Sequence, residues 1–174
     1  CSSDLDVEAA LAALGSEPSE EQLAELDRAM SQGTYDELDP ALYPRLFERL
    51  KAGMDAGALG IGMPHQYYPG ANRDEIYRVF EFAGGEQFTI YTHVRSMGID
   101  AIQEVVANAT ATGAPLHIVH LNSSSLWAIE TNLDLIRGAQ EAGVDVTTEV
   151  YPYTAASTSL ESAIFDEEIG RAHV

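Results

Sequence analysis

Lysine is almost missing from this 174-residue sequence. Lys51 is the only one among nine basic residues, which face 28 acidic ones for a net charge of −19. Such a surface repels phosphate backbones and anionic headgroups, so nucleic acid and anionic membranes are excluded as partners. No stretch approaches 18 consecutive apolar residues, so no transmembrane helix is expected. A single cysteine, Cys1, excludes an internal disulfide and leaves the redox compartment open. No glycine-rich phosphate loop is present: Gly57-Ala58-Leu59-Gly60-Ile61-Gly62 has the glycines but reads as a strand. Ser123–Ser125 and His120 supply residue types for a nucleophilic triad, yet no nucleophile elbow frames them.

What is present suffices for one domain with a sizeable core, at 45% hydrophobic content. The acidity is uneven. Residues 1–40 hold eleven acidic residues and one arginine, so residues 1–49 read as an acidic, solvated helical segment ahead of a domain over 50–167. Cys1-Ser2-Ser3-Asp4 lacks an initiator methionine, which reads as a processed or truncated start. A mature lipoprotein also begins this way, but a cytoplasmic location is preferred to a periplasmic one. Residues 168–174 read as a translated sequencing adaptor and are set aside, His173 with them. Sequencing the source locus across position 167 tests that reading, which an uninterrupted genomic match through Val174 would sink.

Periodicity supplies the elements. Ser19 with Gln22 forms a capping-box start for a helix with Leu23, Leu26 and Met30 on one face, ending at Gly33. Asp39 and Pro40 open another, with Leu42, Leu46, Leu50 and Met54 as its stripe; both stripes are expected to be core. Four strand candidates follow at 58–63, 87–94, 115–121 and 144–151, separated by helices at 72–82, 99–112 and 126–142. The strand starts are 29, 28 and 29 residues apart. Strict β/α alternation gives an open doubly wound sheet or a (β/α)8 barrel. Polar residues gathering at the C-terminal strand ends favour the barrel, and four strands make half of one.

The most informative pair is His93 and His120. Each ends a strand of the same βαβ unit, and so lies at the same edge of a parallel sheet. Adjacent strands are about 4.8 Å apart, which lets two imidazoles share a metal ion at about 2.0–2.1 Å each. A period of two places Tyr91, His93 and Arg95 on one face, and Leu116, Ile118, His120 and Asn122 on one face. It sends His117 to the opposite side, against the helices. Asp145, Thr147, Glu149 and Tyr151 form a further polar row. Arg95 is a candidate to pair with Glu149 or to bind a carboxylate. His65 is a candidate substrate contact, and Trp127 reads as helix packing.

At Gly53–Ala71 (GMDAGALGIGMPHQYYPGA), Tyr91–Ser96 (YTHVRS), Ile118–Ser125 (IVHLNSSS) and Asp145–Leu160 (DVTTEVYPYTAASTSL) the chain resembles the N-acyl-D-amino-acid deacylases, or D-aminoacylases, of the metal-dependent amidohydrolase superfamily. The resemblance implies a zinc-holding (β/α)8 barrel of which these strands are the fourth to seventh. His93 and His120 fall on its metal ligands, with one or two zinc ions in the complete protein. Tyr68, Tyr151 and Ser157 fall on its substrate contacts. The family's first-strand His-x-His and its general-base aspartate are absent, and Cys1 does not match its metal-bridging cysteine. Asn122 stands where many members have lysine, which bears on the substrate. Implied is metal-assisted hydrolysis of the amide of an N-acyl-D-amino acid or similar small molecule, the fragment alone being inactive, with Arg95 or Asn122 also near substrate. Alternatives are a cyclic-amide hydrolase of the dihydroorotase or hydantoinase kind, and a catalytically dead interaction module that pairs through open strand edges. A metal-free sugar-phosphate barrel is a further reading, and the lack of a strand-end lysine counts against its Schiff-base form.

Overall fold

The computed structural model describes residues 19–158 together with Ser162 and Ala163. The expectations for Cys1, for the helical pattern before Gly15 and for residues 168–174 lie outside the described residues. Helix α1 spans Glu20–Tyr35 and a 3-10 turn at Pro40–Leu42 leads into α2, Tyr43–Asp55. Then come β1 (Ile61–Pro64), α3 (Arg73–Glu86), β2 (Ile90–His93), α4 (Ile99–Thr112), β3 (Leu116–Ile118), α5 (Leu121–Ser125), α6 (Ile129–Glu141) and β4 (Val146–Thr148). The four strands form one parallel sheet in the order β1-β2-β3-β4. This is the expected α/β arrangement of half a (β/α)8 barrel. Chain-order neighbours, unlike a doubly wound sheet, let every crossover helix lie over one face.

That face is the core. Ile61, Ile90, Leu116, Ile118 and Val146 point to it from the strands and meet Ile76, Phe80, Ile102, Val105 and Ile136 from α3, α4 and α6. Each such side chain contributes about 1.5–3 kcal/mol by leaving water. Leu46, Phe47 and Leu50 of α2 pack against its margin, as its stripe requires. The stripe of α1 does not: Leu23 and Met30 are exposed, because no element among the described residues covers them. Trp127 is likewise 82% exposed and packs no helix.

Local chemistry sets the ends. Ser19 and Gln22 close the reciprocal capping box at α1, which runs through Gly33 to Tyr35. Asn72 caps α3 by accepting from the Glu75 amide. That helix passes through Gly84 and Gly85 to Glu86 rather than stopping at Phe82, and Gln87 closes it with a left-handed φ of 57°. The reason for a glycine at 84 lies in helix α4. A Cβ there would stand 2.2 Å from the carbonyl oxygen of Thr112, whereas one at Gly85 would meet nothing within 4 Å.

The two glycines therefore separate packing from propensity. Gly84→Ala is expected to lower stability by about 1–3 kcal/mol through overpacking. Gly85→Ala should raise it by about 0.5 kcal/mol, since alanine is the better helix former. Urea midpoints of the two variants check this; equal shifts would contradict the contact.

Candidate active-site cleft

His93 is the last residue of β2, in register with Pro64 of β1. His120 reaches the same edge by a different route. Strand β3 stops at Ile118, two residues short of it, and His120 adopts the left-handed conformation with φ 36° and ψ 55°. The amide of Val119 still donates to Thr92 O at 3.1 Å, and that of Leu121 to Glu149 O at 2.8 Å. The backbone thus stays tied to both neighbouring strands while one residue turns over. That turn breaks the period of two. His117, expected among the helices, lies instead on the open face in register with Tyr91 and Thr147. Its ring is 5.2 Å from that of Tyr91, and its Nδ1 is 2.8 Å from Thr147 Oγ1.

The two site histidines meet edge to face, with ring centroids 4.5 Å apart and planes at 74°. Tyr67 packs on His93 at 4.9 Å, and Tyr151 lies 6.5 Å from His120. His93 Nε2 is 2.6 Å from Gln66 Oε1. On the other side, His120 Nδ1 is 3.1 Å from Ser123 Oγ. Burial, with the charge of His120 adding to it, holds His93 down at a pKa of about 4. The ring is therefore neutral at pH 7 and keeps a lone pair for a cation. A cleft of about 550 Å³ opens over the pair, lined by Gln66, Tyr67, Tyr151, Tyr153, Ser157 and Thr158 among others, with no Asp, Glu, Lys or Arg among the described lining residues.

The remaining sequence candidates scatter around this cleft. Ser157 lines it directly. Tyr151 does too, but from a loop, since β4 is only Val146–Thr148 and ends before Glu149. Asn122 holds that loop: its Nδ2 donates to Tyr151 O and its Oδ1 accepts from Tyr151 N, both at 3.4 Å. Arg95 pairs with Glu104, not Glu149. Its Nε and Nη2 each lie 3.3 Å from a Glu104 carboxylate oxygen, and Nη1 donates to Ala71 O at 2.9 Å. Tyr68 lines a separate hollow beside His65 and Glu75. His65 is only 4% exposed and forms part of the wall of that hollow. Gln66, Tyr67 and Tyr153 escaped the sequence reading. The first two sit in the loop after β1, and that position at a C-terminal strand edge was the signal for them.

No family model matches the chain. It is 32% identical over 140 residues to an N-acyl-D-glutamate deacylase of Alcaligenes xylosoxydans xylosoxydans, covering 70% of this chain and 28% of the relative. Its fold superposes on the zinc- and phosphonate-bound N-acyl-D-glutamate deacylase of Bordetella bronchiseptica with a TM-score of 0.61 at 25% identity, over 69% of this chain and 27% of the other. A copper-bound D-aminoacylase variant gives 0.62 at 26% identity, over 74% and 28%. In sequence and in fold the chain is similar to the D-aminoacylase group of amidohydrolases. It spans a little over a quarter of the length of these D-aminoacylase relatives. Solved members of the group hold zinc or copper. In this chain the donor set for such an ion is two imidazoles; no three His, Cys, Asp or Glu side chains converge among the described residues. The pair fits part of a zinc site, which usually takes three protein ligands when catalytic. None of the described helices is long and apolar enough to cross a membrane.

His65 yields a pH prediction. Both its ring nitrogens are buried without a hydrogen-bond partner. Burial, then Arg95 and His93, depress its pKa from 6.5 to about 3. Between those values the unfolded chain binds a proton that the folded chain refuses, so stability falls as pH drops from about 6.5 towards 3. His65→Leu removes the orphaned nitrogens. It should be neutral or stabilising at pH 7 and flatten the stability profile between pH 6.5 and 4, as read by urea midpoints. An unchanged slope would contradict the burial argument.

Proposed function

We propose that this chain carries the central part of the active site of a zinc-dependent amidohydrolase that cleaves the amide of N-acyl-D-amino acids. The observation that supports it most is the edge-to-face contact of His93 and His120 at 4.5 Å on the C-terminal edge of the sheet. In this reading the two imidazoles hold zinc, one ion or two in the complete site. A bound zinc supplies Lewis acidity, activating a water and polarising the amide carbonyl. The chain's own residues do the rest of what is assigned here. His120 is oriented through Nδ1 by Ser123 and Ser124, which leaves Nε2 as its donor nitrogen. His93 must exchange its Gln66 partner to use Nε2. Tyr151 and Ser157 offer hydroxyls to the acyl or carboxylate group from the cleft wall, and Asn122 fixes where Tyr151 stands. Arg95, bound on three sides, braces the loop beyond His93 instead of presenting a free guanidinium. Tyr68 belongs to the neighbouring hollow and lies behind the same loop. The proton relay to the leaving amine is assigned to no residue of this chain.

The relatives' names give N-acyl-D-glutamate as the first substrate to test. The described cleft lining fits a small molecule held by hydroxyls, with no cation among those residues for a second carboxylate. The broader class of N-acyl-D-amino acids is therefore preferred to glutamate alone.

Elemental analysis after gel filtration, on this chain and on any longer gene product containing it, tests the reading. About one zinc per chain or more is expected in the longer product. His93→Ala or His120→Asn should reduce it to near zero and abolish release of the D-amino acid. Gln66→Ala should tighten zinc by roughly fivefold, because one hydrogen bond of about 1 kcal/mol no longer competes for His93. Absence of metal from the longer product would overturn the proposal.

A further inference from the structure

The two site histidines stand on different strands and reach the cleft through different backbone conformations, so something must hold their loops in register. The sheet alone does not. Its hydrogen bonds reach to Val119, Leu121 and Glu149, while Arg95 to Gly98 and Asn122 to Ser125 run beyond it. The two loops meet at Gly98, whose amide donates to Ser124 O at 2.8 Å. Gly98 sits at φ 112° and ψ −156°, a region open essentially to glycine. Its carbonyl turns inward and accepts from Nδ2 of Asn132 at 3.2 Å; the same Nδ2 donates to Ser125 Oγ at 2.9 Å.

Asn132 is fully buried in α6, as is Ser125, and the Asn132 Oδ1 has no partner at all. A buried polar group with an orphaned oxygen costs stability, and an apolar residue would fill the same space. Nothing in core packing asks for an amide here. What the amide does is bridge the segment after His93 to the one after His120. From Ser125 the connection continues to Ser124 and Ser123, whose hydroxyls face His120 Nδ1 at 3.4 and 3.1 Å.

We infer that Asn132 is a positioning residue, a buried clamp whose amide fixes the Gly98 and Ser125 loops to one another and thereby sets the contact between His93 and His120. The inference rests on the proposed function only for its consequence in metal binding. The clamp itself is a statement about two rings.

The test uses the whole chain and two readouts. In the metal-free protein, an NMR NOE between the ring protons of His93 and His120 reports their contact directly. Zinc titration then reports the consequence. Asn132→Leu keeps the volume and removes both donors; Ser125→Ala removes one acceptor and serves should the first variant not fold. Ile136→Val, in the same helix and equally buried, is the control for simple destabilisation. The expected result is loss of the inter-ring NOE in Asn132→Leu or Ser125→Ala, with zinc binding weakened about 10- to 100-fold, while Ile136→Val retains both. Retention of the NOE in the clamp variants overturns the inference whatever zinc does. Loss of the NOE in a chain that binds no zinc even as wild type upholds the clamp and counts against the metal reading instead.

Discussion

Parallel strands that neighbour one another in chain order impose one constraint from which the rest follows. Each crossover must carry the chain back from the C-terminal edge to the N-terminal edge, and here every helix does so over the same face. One side of the sheet is therefore the apolar core, with Phe80, Ile90, Ile102 and Leu116 excluded from solvent. The other side is left to Tyr91, His117 and Thr147, and all four strands discharge their loops at a single edge. A cleft at that edge is a property of the topology before it is a property of any residue.

The elements whose periodicity was unbroken were legible from sequence. Helix α4 lies at Ile99–Thr112 as read, the parallel order is as read, and the capping box at Ser19 closes as read. Readings failed where one backbone angle changed the bookkeeping of faces. His120 at φ 36° and Leu126 at φ 44° are not glycines, and no local pattern marks them as left-handed. The first brought His120 to the open side although it shares the parity of the core residues Leu116 and Ile118, so the face assigned to His117 from it was inverted. The second ends α5 at Ser125, and the expected 126–142 helix opens as a 3-10 turn over Leu126–Ala128 before α6. The α1 stripe failed for another reason: amphipathicity shows which face seeks a partner, not whether one is present.

That His93 and His120 meet at one sheet edge was legible, and the residues that support them were not. A histidine at a strand end can be found by spacing. Gln66 against His93 and Glu104 against Arg95 are long-range pairings that depend on loop paths no periodicity encodes. The pairing of Arg95 with Glu104 in place of Glu149 also changes the chemistry of the cleft. It removes the one guanidinium expected there and leaves the described part of the wall uncharged and rich in hydroxyls.

The left-handed turn at His120 also bears on how tolerance at that position should be read. Asparagine, aspartate and glycine accept positive φ more readily than alanine does. A mutational scan scored by abundance would therefore rank those three above alanine at position 120, giving a conformational signature with no reference to chemistry. On the proposed function, a scan of a longer, active product scored by turnover would keep histidine alone. The gap between the two rankings would measure how much of that residue serves the backbone and how much the reaction, a separation that alanine by itself cannot make.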